Sequence, residues 1–281
     1  MNVAVHKSRG RGPGRWGILG PSLLLTACMS TQSGAVLDGL VASHVQGSPF
    51  AHRVYVNSAF ADARSEAHDP NRPNTIHIYI DGDGRPWRND RVAADPSPRG
   101  VLVLRMLQQD RGPALYLGRP CHFTLPEDQA CGADDYTFGR YSEQVLNSMV
   151  VALHKKVPDG ARLILIGHSG GGTLAVLLAA RLPEVVGVVT IAANLDLDAW
   201  TRLHGYTPLY ASVDPARQPA LRVSIAQLHL SGAADVDVPT AITRAGLQRQ
   251  ASASLRVVPG FDHRCCWLKV WPGVLAEIAT W

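Results

Sequence analysis

Gly167-His168-Ser169-Gly170-Gly171-Gly172 stands between a short apolar run, 162–166, and a second apolar stretch, 173–182. This is a G-x-S-x-G pentapeptide placed between a strand-like and a helix-like segment. In such a setting a sharp turn holds the serine backbone in strain and presents its hydroxyl at the edge of a sheet. The same turn sets the Gly170 amide at a helix N-terminus, where free N–H groups and the helix dipole stabilise an oxyanion. The chemistry indicated is nucleophilic attack by Ser169 on a carbonyl carbon. A glycine-rich turn that only binds an anion is the alternative. A serine hydroxyl needs a base, and His263 is the only one of eleven histidines beyond residue 235. The base needs an acceptor for its other ring proton. Seven acids lie between Ser169 and His263: Glu184, Asp196, Asp198, Asp214, Asp235, Asp237 and Asp262.

The surrounding chain supplies elements that can position such groups. Short, continuously apolar runs predict strands at 53–57, 75–80, 113–118, 162–167, 185–192, 225–230 and 254–258. Segments with 3.6-residue periodicity fall between them, at 98–108, 142–157, 171–182, 239–251 and 267–280. Continuous apolar strands alternating with helices imply a mostly parallel sheet covered on both faces. The long irregular connection 194–222 is a candidate lid. Its Trp200, Tyr206 and Tyr210 read by default as lid packing. His77 and His229 lie on predicted strands and read as core residues, and Ser142 reads as a helix N-cap.

With its strand, turn and helix, the Ser169 motif resembles that of the α/β-hydrolase superfamily, over about residues 53–281. The resemblance implies the chain order nucleophile, acid, histidine. Gly260-Phe261-Asp262-His263 is similar to the family's G-x-x-H after the last strand. Gly232-Ala233-Ala234-Asp235-Val236-Asp237-Val238-Pro239 is similar to G-x-x-D-x-x-V-P, which favours Asp235 as the acid. Asp237 is the runner-up, Asp196 occupies a position some hydrolases use, and Asp262 reads as a loop charge. The resemblance also implies a second oxyanion donor after the strand 75–80. There Asp81-Gly82-Asp83-Gly84 resembles the family's H-G-x-x loop, with the Asp83 amide as donor and Asp81 in place of histidine. A simple Asp-Gly turn is the alternative, and two carboxylates beside an oxyanion are unfavourable unless turned away or paired.

The 281 residues carry a formal charge of +4 and are 46% hydrophobic, which excludes a mainly disordered chain. Lys7, Arg9, Arg11 and Arg15 account for the charge. The remaining 27 − 4 = 23 bases meet 23 acids, so nothing electrostatic points to nucleic acid. Those four cations precede a short apolar stretch, 16–27, as in an export signal. Leu25-Thr26-Ala27-Cys28 resembles the lipobox of bacterial lipoproteins. That resemblance implies removal of residues 1–27, lipid on Cys28, and residues 28–52 as a tether ahead of one domain, 53–281. It places the protein at the bacterial cell envelope, and Met29 directs it to the outer membrane of a Gram-negative cell. In an oxidising compartment Cys121 and Cys131, ten apart in a loop-like stretch, are the expected disulfide. Cys265 and Cys266 are neighbours; a bridge between them is expected to be strained, and the alternatives are that they are free or that one pairs elsewhere. No Cys/His pairs stand at zinc-ligand spacing, so no metal is expected, and the chemistry needs no organic cofactor. The expected activity is hydrolysis of a small-molecule or lipid ester. Acyl transfer, peptide cleavage and a non-catalytic envelope lipoprotein are the alternatives.

Overall fold

Among the described residues, eight strands form one sheet in the order β1-β2-β6-β3-β7-β8-β9-β10. They are β1 (Val41–Gln46), β2 (Ala51–Val56), β3 (Thr75–Ile80), β6 (Ala114–Leu117), β7 (Arg162–His168), β8 (Val185–Ile191), β9 (Ala226–Gly232) and β10 (Ala253–Val258). A separate two-stranded ribbon, β4 (Trp87–Arg88) and β5 (Arg91–Val92), leaves the sheet after β3. This computed structural model describes residues 38–65, 74–125 and 130–281. The export segment 1–27 and Cys28 lie outside the described residues. Only β2 runs against its two neighbours; from β6 to β10 every pair is parallel.

Alternation along β7 divides the core. Leu163 and Leu165 pack on the side of α3 (Glu143–Lys156) and α4 (Gly170–Ala179), while Ile164 and Ile166 pack on the other side. That other side is covered by α2 (Leu102–Gln109) and α7 (Trp271–Ile278), whose Trp271 is fully buried. Both faces being covered is why the parallel strands read as unbroken apolar runs. Three further helices, α1 (Ser58–Ser65), α5 (Leu197–His204) and α6 (Thr240–Gly246), complete the alternation. Ser142 caps α3, accepting from the Val145 amide at 3.3 Å. His77 and His229 are buried, as expected of core histidines.

The sheet begins earlier than the sequence suggests. Residues 41–46, assigned above to the tether, form β1 and pair with β2, which itself begins at Ala51. The edge strand VASHVQ is mostly exposed, so it lacks the apolar signal that marks its neighbours. Cys121 and Cys131 form the expected disulfide, with Cα atoms 5.5 Å apart.

Candidate active site

Ser169 occupies the single residue between the end of β7 and the start of α4. Its φ of 54° and ψ of −126° are rare for a residue with a side chain and cost roughly 1–3 kcal/mol. The packing around the turn imposes this conformation. A Cβ on Gly167 would lie 2.1 Å from the Gly171 carbonyl oxygen, so strand and helix approach too closely for any side chain there. The Ser169 amide is also held by the Ile191 carbonyl of β8, at 2.8 Å. The hydroxyl thereby projects from the C-terminal edge of the sheet, where ligand sites of open α/β sheets lie.

Asp235 and His263 reach the same edge on the turns after β9 and β10. The Ser169 hydroxyl and His263 Nε2 are 3.0 Å apart, and His263 Nδ1 is 2.9 Å from Asp235 Oδ2. A carboxylate only accepts, so Nδ1–H donates to Asp235. Nε2 is then left with its lone pair towards the serine proton. The second oxygen of Asp235 accepts from the Val238 amide at 2.8 Å, and its side chain is wholly enclosed. Neither carboxylate oxygen can turn away without losing a hydrogen bond. The imidazole is fixed from behind as well. The His263 carbonyl accepts from His168 Nε2–H at 2.8 Å and from Trp267 Nε1–H at 3.3 Å. Burial, then the nearby His263, lowers the His168 pKa to about 4, so it is a neutral strut at ordinary pH.

The rival acids have structural work elsewhere. Asp196 caps α5 by accepting from the Ala199 amide, and Asp214 accepts from the amides of Leu197, Asp198 and Ala216. Asp262 closes its own turn by accepting from the amides of Arg264 and Cys265. Asp237 is exposed, and its carbonyl accepts from Trp200 and His204 on α5. Adjacent Cys265 and Cys266 are paired with each other across a cis peptide.

Gly82 and Asp83 lie against the serine. A Cβ on Gly82 would be 3.2 Å from Ser169 Cβ and 3.6 Å from its hydroxyl. The Asp83 side chain borders the cleft, but its carboxylate is held by other partners. It passes behind the elbow, where Oδ1 would be 1.9 Å from a Cβ on Gly170. There it pairs with Arg119 and, at 2.8 Å, with Arg140, and accepts from the Tyr141 hydroxyl at 2.6 Å. Burial alone would raise its pKa. The two guanidiniums and the phenol outweigh burial and hold it below the usual carboxylate range. The other carboxylate, Asp81, accepts from the Gly82 amide at 2.8 Å, and burial raises its pKa to about 6. One of the two carboxylates is thus paired with two guanidiniums, and the other is held by the Gly82 amide with a raised pKa. Arg119 and Arg140 were missed in the sequence. Each follows a glycine in a connection between elements, with no spacing that ties it to residue 83.

Asp83→Ala is expected to leave Arg119 and Arg140, with side chains only 3% and 8% exposed, without a counter-charge. Because the Asp83 side chain is itself 20% exposed, the expected loss is about 3 kcal/mol, near the low end for breaking a buried pair. Urea denaturation would read it, and a loss below about 1 kcal/mol would show that water screens the network.

The cleft over Ser169 has a volume of about 510 Å³ and is lined by residues 81–85, 98–102, Arg105, His168, Ser169, His263, Arg264 and Leu268. No residue of 194–222 lines it, so that segment is not the wall of this cleft. The connection 81–101 takes that place. Residues 194–222 instead hold α5, and their aromatics pack on one another and on Phe138, with Trp200–Tyr206 at 5.2 Å and Phe138–Tyr210 at 5.0 Å.

The eight-stranded sheet, its strand order and the elbow after β7 define the α/β-hydrolase fold. Solved structures share it. Similar chains include the peroxisomal α/β-hydrolase Lpx1 of Saccharomyces cerevisiae (TM-score 0.58, 10% identity, 86% of this chain and 88% of that one). Est1E of Butyrivibrio proteoclasticus is also similar (TM-score 0.56, 13% identity, 85% and 97%). So is a membrane phospholipase A described as a bacterial virulence factor (TM-score 0.52, 16% identity, 87% and 88%). At such identities the likeness is one of fold. The sequence matches no protein-family model and no curated protein.

Proposed function

We propose that the protein is a serine hydrolase that cleaves carboxylic esters through an acyl-enzyme on Ser169. The observation that carries this is the unbroken chain from Ser169 Oγ to His263 to Asp235, at 3.0 and 2.9 Å, on a strained elbow. Ser169 Oγ attacks the ester carbon as its proton passes to His263 Nε2. Asp235 holds the tautomer and stabilises the imidazolium. The amides of Gly170 and Asp83 receive the oxyanion. The carbon–oxygen bond to the leaving group breaks, and His263 returns the proton to the departing alkoxide. Water, deprotonated by the same imidazole, then attacks the acyl carbon and releases acid and free serine. Esters are preferred because this machinery suffices for them, and among the similar structures one is named a phospholipase.

The proposed location is the bacterial cell envelope, with residues 1–27 removed and lipid on Cys28. The sequence pattern supports it, and the Cys121–Cys131 disulfide fits an oxidising compartment. With β1 starting at Val41, residues 29–40 would be the spacer.

A fluorophosphonate probe tests the activity. Wild type should label and Ser169→Ala should not. No labelling of wild type would overturn the proposal in favour of a non-catalytic envelope protein. With labelling established, p-nitrophenyl esters with and without an added alcohol separate hydrolysis from acyl transfer.

A further inference from the structure

The rim of the cleft over Ser169 carries charge that the chemistry described so far does not use. Arg85 and Arg99 reach it from the connection 81–101, Arg105 from α2, and Arg264 from the turn beside His263. All four are exposed, and none has an ion-pair or side-chain hydrogen-bond partner among the described residues. Some other arginines are paired, Arg119 and Arg140 with Asp83, Arg181 with Glu143, Arg217 with Asp198 and Arg256 with Glu277, whereas Arg88, Arg91, Arg202, Arg244 and Arg249 have no ion-pair partner among the described residues, so what sets the four apart is their convergence on one cleft. The acids lining the cleft are Asp81 and Asp83, and Asp83 is already neutralised by its two arginines. Residues 28–281 balance 23 bases against 23 acids, so four guanidiniums around one serine, faced by Asp81 in the cleft and by Asp262 near Arg264, are a local excess of positive charge. The excess comes from three separate elements that converge on the reacting hydroxyl.

We infer that the four arginines around the Ser169 cleft select esters carrying a carboxylate or phosphate group near the scissile bond. This rests on the serine-hydrolase reading and names its substrate class. Guanidinium forks match both oxyanions in a bidentate geometry, which an ammonium would not. Like charges held close together repel, and an anionic substrate relieves that repulsion on binding. Leu102 and Leu268, also on the wall, suit a short hydrocarbon between the ester and its anionic group.

Matched esters test the inference. One pair is mono-p-nitrophenyl adipate against p-nitrophenyl hexanoate. The other is 4-(butyryloxy)phenyl phosphate against 4-(butyryloxy)anisole, which separates phosphate from carboxylate as the favoured group. At least one anionic ester should exceed its neutral partner about tenfold in kcat/KM at low salt. The ratio should fall towards one as ionic strength approaches about 0.5 M, because exposed charges are then screened within a few ångströms. In the double variant Arg99→Glu, Arg105→Glu the ratio should drop below one, with retained fluorophosphonate labelling showing that the fold survives. Labelling of wild type with no anionic preference in either pair, or a preference unchanged by the double variant, would overturn this inference and leave the serine hydrolase standing. Absence of labelling in wild type would overturn both.

Discussion

Asp235→Asn is expected to lower kcat on any ester the wild type cleaves by about 10⁴-fold, with KM within a few-fold and little change in stability. An asparagine carbonyl can still accept from the Val238 amide, as Oδ1 does now at 2.8 Å. Its amide nitrogen then faces His263 Nδ1 as a donor. Two donors cannot face each other, so the imidazole carries its proton on Nε2 instead. That nitrogen, 3.0 Å from Ser169, can no longer accept the serine proton. The geometry survives and the proton transfer fails. The loss should therefore appear in the acylation step, and the double variant with Ser169→Ala should be no worse than Ser169→Ala alone, since the three groups act as one unit. A fall of less than about tenfold would show that His168 and Trp267, which grip the His263 carbonyl, keep the ring functional without its acid.

The parts of this site that were legible in the sequence are those set by local chain geometry. A nucleophile between glycines, with an apolar run on either side, leaves the chain few options, and Ser169 sits where the motif puts it. Asp235 and His263 were readable because each follows a strand by a few residues and shares its turn with a constraining glycine. Gly232 shows the constraint directly: a Cβ there would lie 2.4 Å from the Phe261 carbonyl oxygen of the histidine turn. What was not legible depends on contacts between segments far apart in the chain. The pairing of Asp83 with Arg119 and Arg140 spans 36 and 57 residues and leaves no periodic trace. The wall of the cleft was misplaced for a related reason. Length alone singled out 194–222, whereas the ribbon β4–β5 in 81–101 has only two residues per strand, too few to show an alternating pattern. Strand β1 escaped because an edge strand needs no continuous apolar run.

Acidification from pH 7 to pH 4 is expected to unfold the protein, and four histidines outside the reacting pair drive it. His52, His122, His168 and His229 are buried, and burial lowers each pKa from 6.5 to about 4. Each is held neutral by fixed contacts. His52 donates to the Gly118 carbonyl and accepts from the Ser148 hydroxyl, both at 2.9 Å, and His122 donates to the Pro120 carbonyl at 2.9 Å. For a histidine whose folded pKa is depressed, the unfolded chain binds the proton first. Stability is then complete above about pH 6.5 and is lost as pH falls towards about 4. A displacement of that size is worth about 3 kcal/mol per group, so four groups together reach on the order of 10 kcal/mol, comparable to the whole stability of a domain. Asp81 opposes them. Its folded pKa of about 6 lies above the ordinary 3.8, so the folded state takes up that proton first and gains about 3 kcal/mol over the same window. Burial also raises the pKa of Asp214, a second gain of the same sign, but four losses exceed these two gains. Thermal melts followed by circular dichroism from pH 8 to pH 4 should show Tm falling steadily below pH 6.5. The fall should be shallower in the double variant His52→Gln, His229→Gln, even where that variant is less stable at pH 8. A Tm that holds level down to pH 4 would mean that these rings take up protons inside the fold and are not sealed from water.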